Sequence, residues 1–179
     1  MLTRFLAFAI LCASLAMPAQ ARDLTGGERT ALDTRVAEFI SAMDSRNYAT
    51  MLGMAPPRLH EALAKQAGVS VEELRATAVT AMTEMMKTVQ IVGYTMGLDQ
   101  AKYMATPDGT PYALIPTQTK VEMPDKRTLV ADSYSVAFMD GETWYLLAID
   151  DPSQLVLFRE QYPSFTDVAF PQAQVSFEE

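Results

Sequence analysis

The chain is poor in the residues that leave an unmistakable chemical mark. It holds one Cys, one His and one Trp in 179 residues. A single His, with no Cys beyond Cys12, excludes the usual zinc sites and any disulfide framework. No G-x-S-x-G, P-loop, G-x-G-x-x-G or H-E-x-x-H spacing occurs, so no cofactor is implied and no metal is expected. Lys and Arg number 14 against 22 Asp and Glu, for a net charge of -8. That deficit of positive charge disfavours nucleic acid, whose phosphates need a basic face. The basic residues are also scattered, with no polybasic segment for a membrane surface. What remains is an ordinary globular balance, 49% apolar and 20% charged, of a length suited to one domain.

The first residues read as an address. Arg4 is the only charge before Arg22. Phe5 through Met17 is apolar except for Ser14, and Ala19-Gln20-Ala21 follows. A basic start, a short apolar run and an A-x-A site form a secretory leader, cut after Ala21. The run is too short to span a bilayer, which takes about 20 apolar residues. Leu11 before Cys12 argues against a lipidated cysteine. The expected organisation is a leader at 1–21, one domain at 22–162 and a C-terminal tail at 163–179. The expected location is the periplasm or the exterior.

Helical signals come first in the remaining chain. Thr25 with Glu28 forms a capping box, followed by Leu32, Val36, Phe39, Ile40 and Met43 on one helical face. Tyr48 to Met54 reads as a short helix. Pro56-Pro57 opens another, which Gly68 ends. Ser70 with Glu73 is a second capping box, and the stripe Val71, Leu74, Ala78, Met82, Met85, Val89 follows.

The period then changes to two. Strands are expected at residues 90–96, 112–123, 128–139 and 143–150, with turns at 107–110, 124–126 and 140–142. Pro116 suggests a bulge or an edge position. Asp151-Pro152-Ser153 leads a short helix, and the tail carries Phe165, Phe170 and Phe177, which predicts that it lies against the body. Helices followed by strands define an α+β class, with N-terminal helices packed on a curved antiparallel sheet.

This order resembles the NTF2-like superfamily of cone-shaped α+β proteins. The residues that carry the likeness are Asn47-Tyr48-Ala49-Thr50-Met51-Leu52, Tyr112-Ala113-Leu114-Ile115-Pro116 and Gly141-Glu142-Thr143-Trp144-Tyr145-Leu146-Leu147. The superfamily includes ketosteroid isomerase, scytalone dehydratase and limonene epoxide hydrolase, and also members that only bind or dimerise. The resemblance therefore implies a fold and leaves the function open.

Five sets of residues are candidates. Asp132 shares a strand face with Val130, Tyr134, Val136 and Phe138. If that face lines the cone, Asp132 is a proton carrier and Tyr134 an oxyanion donor. Otherwise Asp132, near the start of its strand, faces solvent or is satisfied by Arg127 or Lys126. Asp150-Asp151 could bind a hard cation or cap the following helix. His60 lies one step off the stripe of Leu59 and Leu63, which places it partly exposed. Met82, Met85 and Met86 suit a core stripe, a pocket lining or a soft metal. Aromatic residues on a curved sheet either fill a core or line a pocket.

The expected pocket set is Tyr94, Tyr134, Phe138, Trp144, Met82 and Met85. The function expected from these residues is non-catalytic binding of a small apolar ligand or a protein partner, with homodimerisation through the sheet as one mode. The alternative is an isomerase, dehydratase or hydrolase using a carboxylate in the cone.

Overall fold

The computed structural model describes residues 20–123, 125–149 and 152–178. The expected leader falls almost wholly outside the described residues, as do Cys12 and the Asp150-Asp151 pair. Among the described residues, no helix is long and apolar enough to cross a membrane.

Four helices precede most of the sheet: α1 (Gly26–Asp44), α2 (Tyr48–Gly53), α3 (Pro57–Ala67) and α4 (Val71–Met85). Both capping boxes form. The Glu28 amide donates to Thr25 Oγ1 at 3.2 Å, and the Thr25 amide donates back to Glu28 Oε2 at 2.8 Å. Ser70 and Glu73 repeat the exchange at 3.1 and 2.9 Å. Each pair satisfies two amides that a helix start leaves open. Gly68 caps α3 at φ 69°, a left-handed conformation that a Cβ would penalise. Helix α4 ends at Met85, so Val89 lies beyond it.

The sheet is antiparallel and curled, and the protein is α+β. Its strands are β1 (Gln20–Ala21), β2 (Gln90–Met96), β3 (Lys102–Ala105), β4 (Pro111–Glu122), β5 (Thr128–Asp140), β6 (Thr143–Ala148) and β7 (Gln174–Phe177). Strands β4 and β5 form a long central hairpin, paired from Tyr112–Phe138 to Glu122–Thr128. Each changes its outer neighbour halfway. β4 pairs with β3 at its start and β2 at its end, while β5 pairs with β7 at its start and β6 at its end. Helix α5 (Pro152–Gln161) and a 3-10 turn at Pro163–Phe165 lie between β6 and β7.

Pro116 sits at that halfway point, opposite Tyr134. Its carbonyl accepts from Gly97 N–H at 2.8 Å, where β2 gives way to a 3-10 turn at Leu98–Gln100. A proline there lacks its donor on the side where the neighbouring strand has ended. The register shift in the sheet falls instead between Ile91 and Gly93 of β2, so β4 continues in register through Pro116.

The two faces of the sheet carry different cores. Helix α1 lays Leu32 and Val36 on the first face, against Ala113, Ile115, Ala137, Trp144 and Leu146. Each fully buried aliphatic side chain contributes about 1.5–3 kcal/mol. The second face carries Tyr112, Leu114, Val136 and Phe138, covered by Phe158 of α5 and by Tyr162, Phe165 and Val168. Three rings meet Phe138 edge-on: Tyr162 at 4.8 Å, and Phe158 and Phe165 each at 5.3 Å between centroids. Because both faces are covered here, Tyr112 to Ile115 and Ser135 to Phe138 are buried without a break.

The tail completes the structure. Phe165 is fully buried, and β7 adds to the free side of β5. Phe177 is the exception among the tail phenylalanines. It is 46% exposed and lies on the first face, with the Arg127 guanidinium 4.3 Å from its ring centre.

Candidate functional site

The second face is covered at one end only. Beyond Tyr134 it opens into a cleft of about 740 Å³. The cleft lies over the midpoint of the central hairpin, between the Gly97–Gln100 segment and residues 171–174 of the tail. Its floor follows from the register. Thr95 pairs with Gln118, Gln118 with Asp132, and Asp132 with Gln174. Residues directly opposite share a face, so these four side chains form one polar row across β2, β4, β5 and β7. Pro116 and Tyr134 make the next row, on the side of the covered core.

Asp132 is exposed, and Gln118 Nε2 donates to its Oδ1 at 2.9 Å. That bond holds one carboxylate oxygen and orients the amide. Arg127, the partner weighed from the sequence, is held instead by Asp125, whose Oδ2 accepts from Arg127 Nε at 2.7 Å. Lys126 pairs with Glu122 at 2.7 Å. Tyr134 is half-buried and packs against the second core, next to the cleft. The structure thus brings Asp132 and Tyr134 into one cleft.

It does not bring the other pocket candidates there. Phe138 is on the same face but lies under α5 and the tail, fully buried. Trp144 pairs with Met139 and points to the opposite face, 2% exposed. Its Nε1–H donates to the Glu28 carbonyl at 3.0 Å, while Arg35 Nε donates to the Trp144 carbonyl at 3.0 Å. These two bonds clip α1 to β6. Tyr94 also packs on the helix-covered face, its ring 6.0 Å from that of Phe39. Met82 and Met85 belong to α4, which has no buried residue, and Met85 is 50% exposed. One alternation step separates Trp144 from Tyr145, which is enough to put the tryptophan on the far side from Tyr134.

His60 is buried, not partly exposed as its place one step off the stripe suggested. Helix α3 packs on both α4 and α5 and buries Leu59, His60 and Ala64, while Leu63 is 41% exposed, so its covered face is turned from the expected stripe toward His60. Burial pushes the imidazole below its ordinary value, and the positive charge of Arg75 adds to the shift. His60 is not in the cleft.

The polar residues Gln118, Gln174 and Thr95 were not candidates from the sequence, because nothing in their types marks them. Across residues 171–173 of the tail lies a smaller cleft of about 380 Å³, lined by Ile149, Leu155 and Phe170. The tail segment therefore separates a polar recess from an apolar one.

No family model, no curated protein and no solved structure matches this chain.

Proposed function

We propose that the protein is an exported, non-catalytic binding domain that holds a small molecule in the cleft above Gln118, Asp132 and Tyr134. The observation that carries this reading is the cleft itself: half of one sheet face is covered by α5 and the tail, and the rest is open, concave and lined by convergent polar side chains. The leader-like N-terminus supports export. The order of helices before a curled antiparallel sheet supports an NTF2-like assignment.

A second reading is an isomerase, dehydratase or hydrolase with Asp132 as proton carrier and Tyr134 as oxyanion donor. The shared cleft favours it. Against it, Asp132 is exposed and its hydrogen-bond partner is an amide, so nothing around it supplies the apolar setting that makes a carboxylate a good proton carrier. A protein partner, or a second copy of the chain, would find exposed apolar side chains on the other face, at Val175 and Phe177.

The test is native mass spectrometry of the chain purified from a periplasmic extract, beside a Gln118→Trp variant that fills the cleft. A small molecule retained by the wild type and lost from the variant is the expected result. A bare mass for both, or a molecule retained equally by both, overturns the reading.

A further inference from the structure

The row across the cleft floor points to the kind of molecule it takes. Among the described residues lining the cleft, Asp132 is the only charged one, and none is Lys, Arg or His. Lys120, on the next row of β4, is engaged by Glu178 in an ion pair. A phosphate, sulfate or carboxylate ligand would therefore meet one negative charge and no positive one, which disfavours it.

The remaining polar groups on the floor are neutral. Gln118 and Gln174 each bring a donor and an acceptor, and Thr95 brings a hydroxyl that serves as either. Asp132 accepts, with Oδ1 already oriented by Gln118. A wholly apolar ligand would cover these groups and leave them unpaired, which costs more than its contact area returns. Beside the row lie the flat ring of Tyr134 and the puckered apolar ring of Pro116, both partly covered. A row of mixed donors and acceptors next to flat apolar surface matches a molecule with hydroxyls around its rim and C–H groups on its face.

We propose that the cleft binds a neutral saccharide, with Asp132 and Gln118 taking its hydroxyls and Tyr134 supporting a sugar ring. This rests on the reading that the cleft is the binding site, and adds the chemical class of the ligand.

The experiment is amide chemical-shift mapping of the isotope-labelled chain. The probes, added separately, are cellotriose, maltotriose, triacetylchitotriose, spermidine and decanoate. The expected result is saturable shifts at Gln118, Asp132, Tyr134 and Gln174 with at least one trisaccharide. Asp132→Ala and Gln174→Ala should each weaken that binding about tenfold, as for a lost hydrogen bond to a charged or well-placed group. Both sites are exposed, so the variants should fold, and each checks the other. If spermidine or decanoate shifts the cleft and no trisaccharide does, the saccharide class is overturned and cleft binding stands. If trisaccharide shifts fall outside the cleft, or no trisaccharide binds, the inference is also overturned. Loss of cleft binding as such is read separately, from the retained mass in Gln118→Trp.

Discussion

The indole N–H of Trp144 donates to the main-chain carbonyl of Glu28 at 3.0 Å. The lone tryptophan is therefore a fastener between β6 and the first turn of α1. Glu28 is itself the acidic partner of the Thr25 capping box, at the third position of the helix. Its carboxyl is held below the usual range, first by the Thr25 amide and then by Arg22, which donates to it at 3.0 Å. Helix start, strand and indole form one connected unit. Trp144→Phe deletes the donor together with part of the indole, and should cost about 1–3 kcal/mol through the lost hydrogen bond and the space left behind. Trp144→Ala should cost about 3–5 kcal/mol through the cavity. Urea unfolding monitored by circular dichroism measures both.

The aromatic cluster around Phe138 makes the tail part of the domain's stability. Phe165→Ala should destabilise by about 3–5 kcal/mol, as for a fully buried ring in contact with Phe138, Phe158 and Tyr112. A chain ending at Phe170 keeps those contacts and loses only β7 and the outer wall of the cleft. It should stay folded, while a chain ending at Tyr162 should not. Thermal melts of the two truncations separate these outcomes.

His60 gives the stability a pH dependence in a window of its own. Its folded-state value lies below the ordinary 6.5, so the unfolded chain binds more protons there than the native one. Stability should be highest above about pH 6.5 and fall as the pH drops below it. The lowered carboxyls of Glu28, Glu73, Asp108 and Asp125 act at more acidic pH, below their ordinary values. Replacing the ring in His60→Asn should flatten the slope between pH 7 and 5. Unfolding midpoints across that range check this, and an unchanged slope would contradict it.

Tyr162 supplies a local probe of the covered end of the sheet. Burial raises its phenol well above the ordinary 10, and the Asp140 carboxylate, which accepts from its hydroxyl at 3.2 Å, adds to the shift. Arg58 lies over the ring at 5.0 Å and pairs with Asp140 at 3.1 Å. A phenol with a raised folded value favours the native state while protonated, and that stabilisation is lost as pH rises past the unfolded value. In a spectrophotometric titration Tyr162→Phe should remove one late-titrating phenol and leave the earlier ones unchanged.

Much of the fold was legible in local signals. Both capping boxes, Gly68 and the hairpin turns have side-chain or backbone causes that act within a few residues. The site was less legible for two reasons. Apolar residues at Tyr112 to Ile115 and Val136 to Phe138 fill both sheet faces, so alternation could not say which face was open. That is why Trp144 and Phe138, on opposite faces, were grouped together. The polar row was readable in principle. Counting equally from the turn at Asp125 sets Gln118, seven residues before it, opposite Asp132, seven after. The contribution of Gln174 was not readable, since β7 is a four-residue edge strand, too short for the alternation of Val175 and Phe177 to mark it as a strand.

The most direct test asks which face holds the ligand. Wild type, Tyr134→Ala and Trp144→Phe would be purified from the same cells by one procedure, and the share of each carrying a retained small molecule read by native mass spectrometry. Binding in the cleft predicts that Tyr134→Ala loses the molecule while folded Trp144→Phe keeps it. The reverse pattern, with the molecule lost from Trp144→Phe and kept by Tyr134→Ala, would contradict the account and put the site under α1.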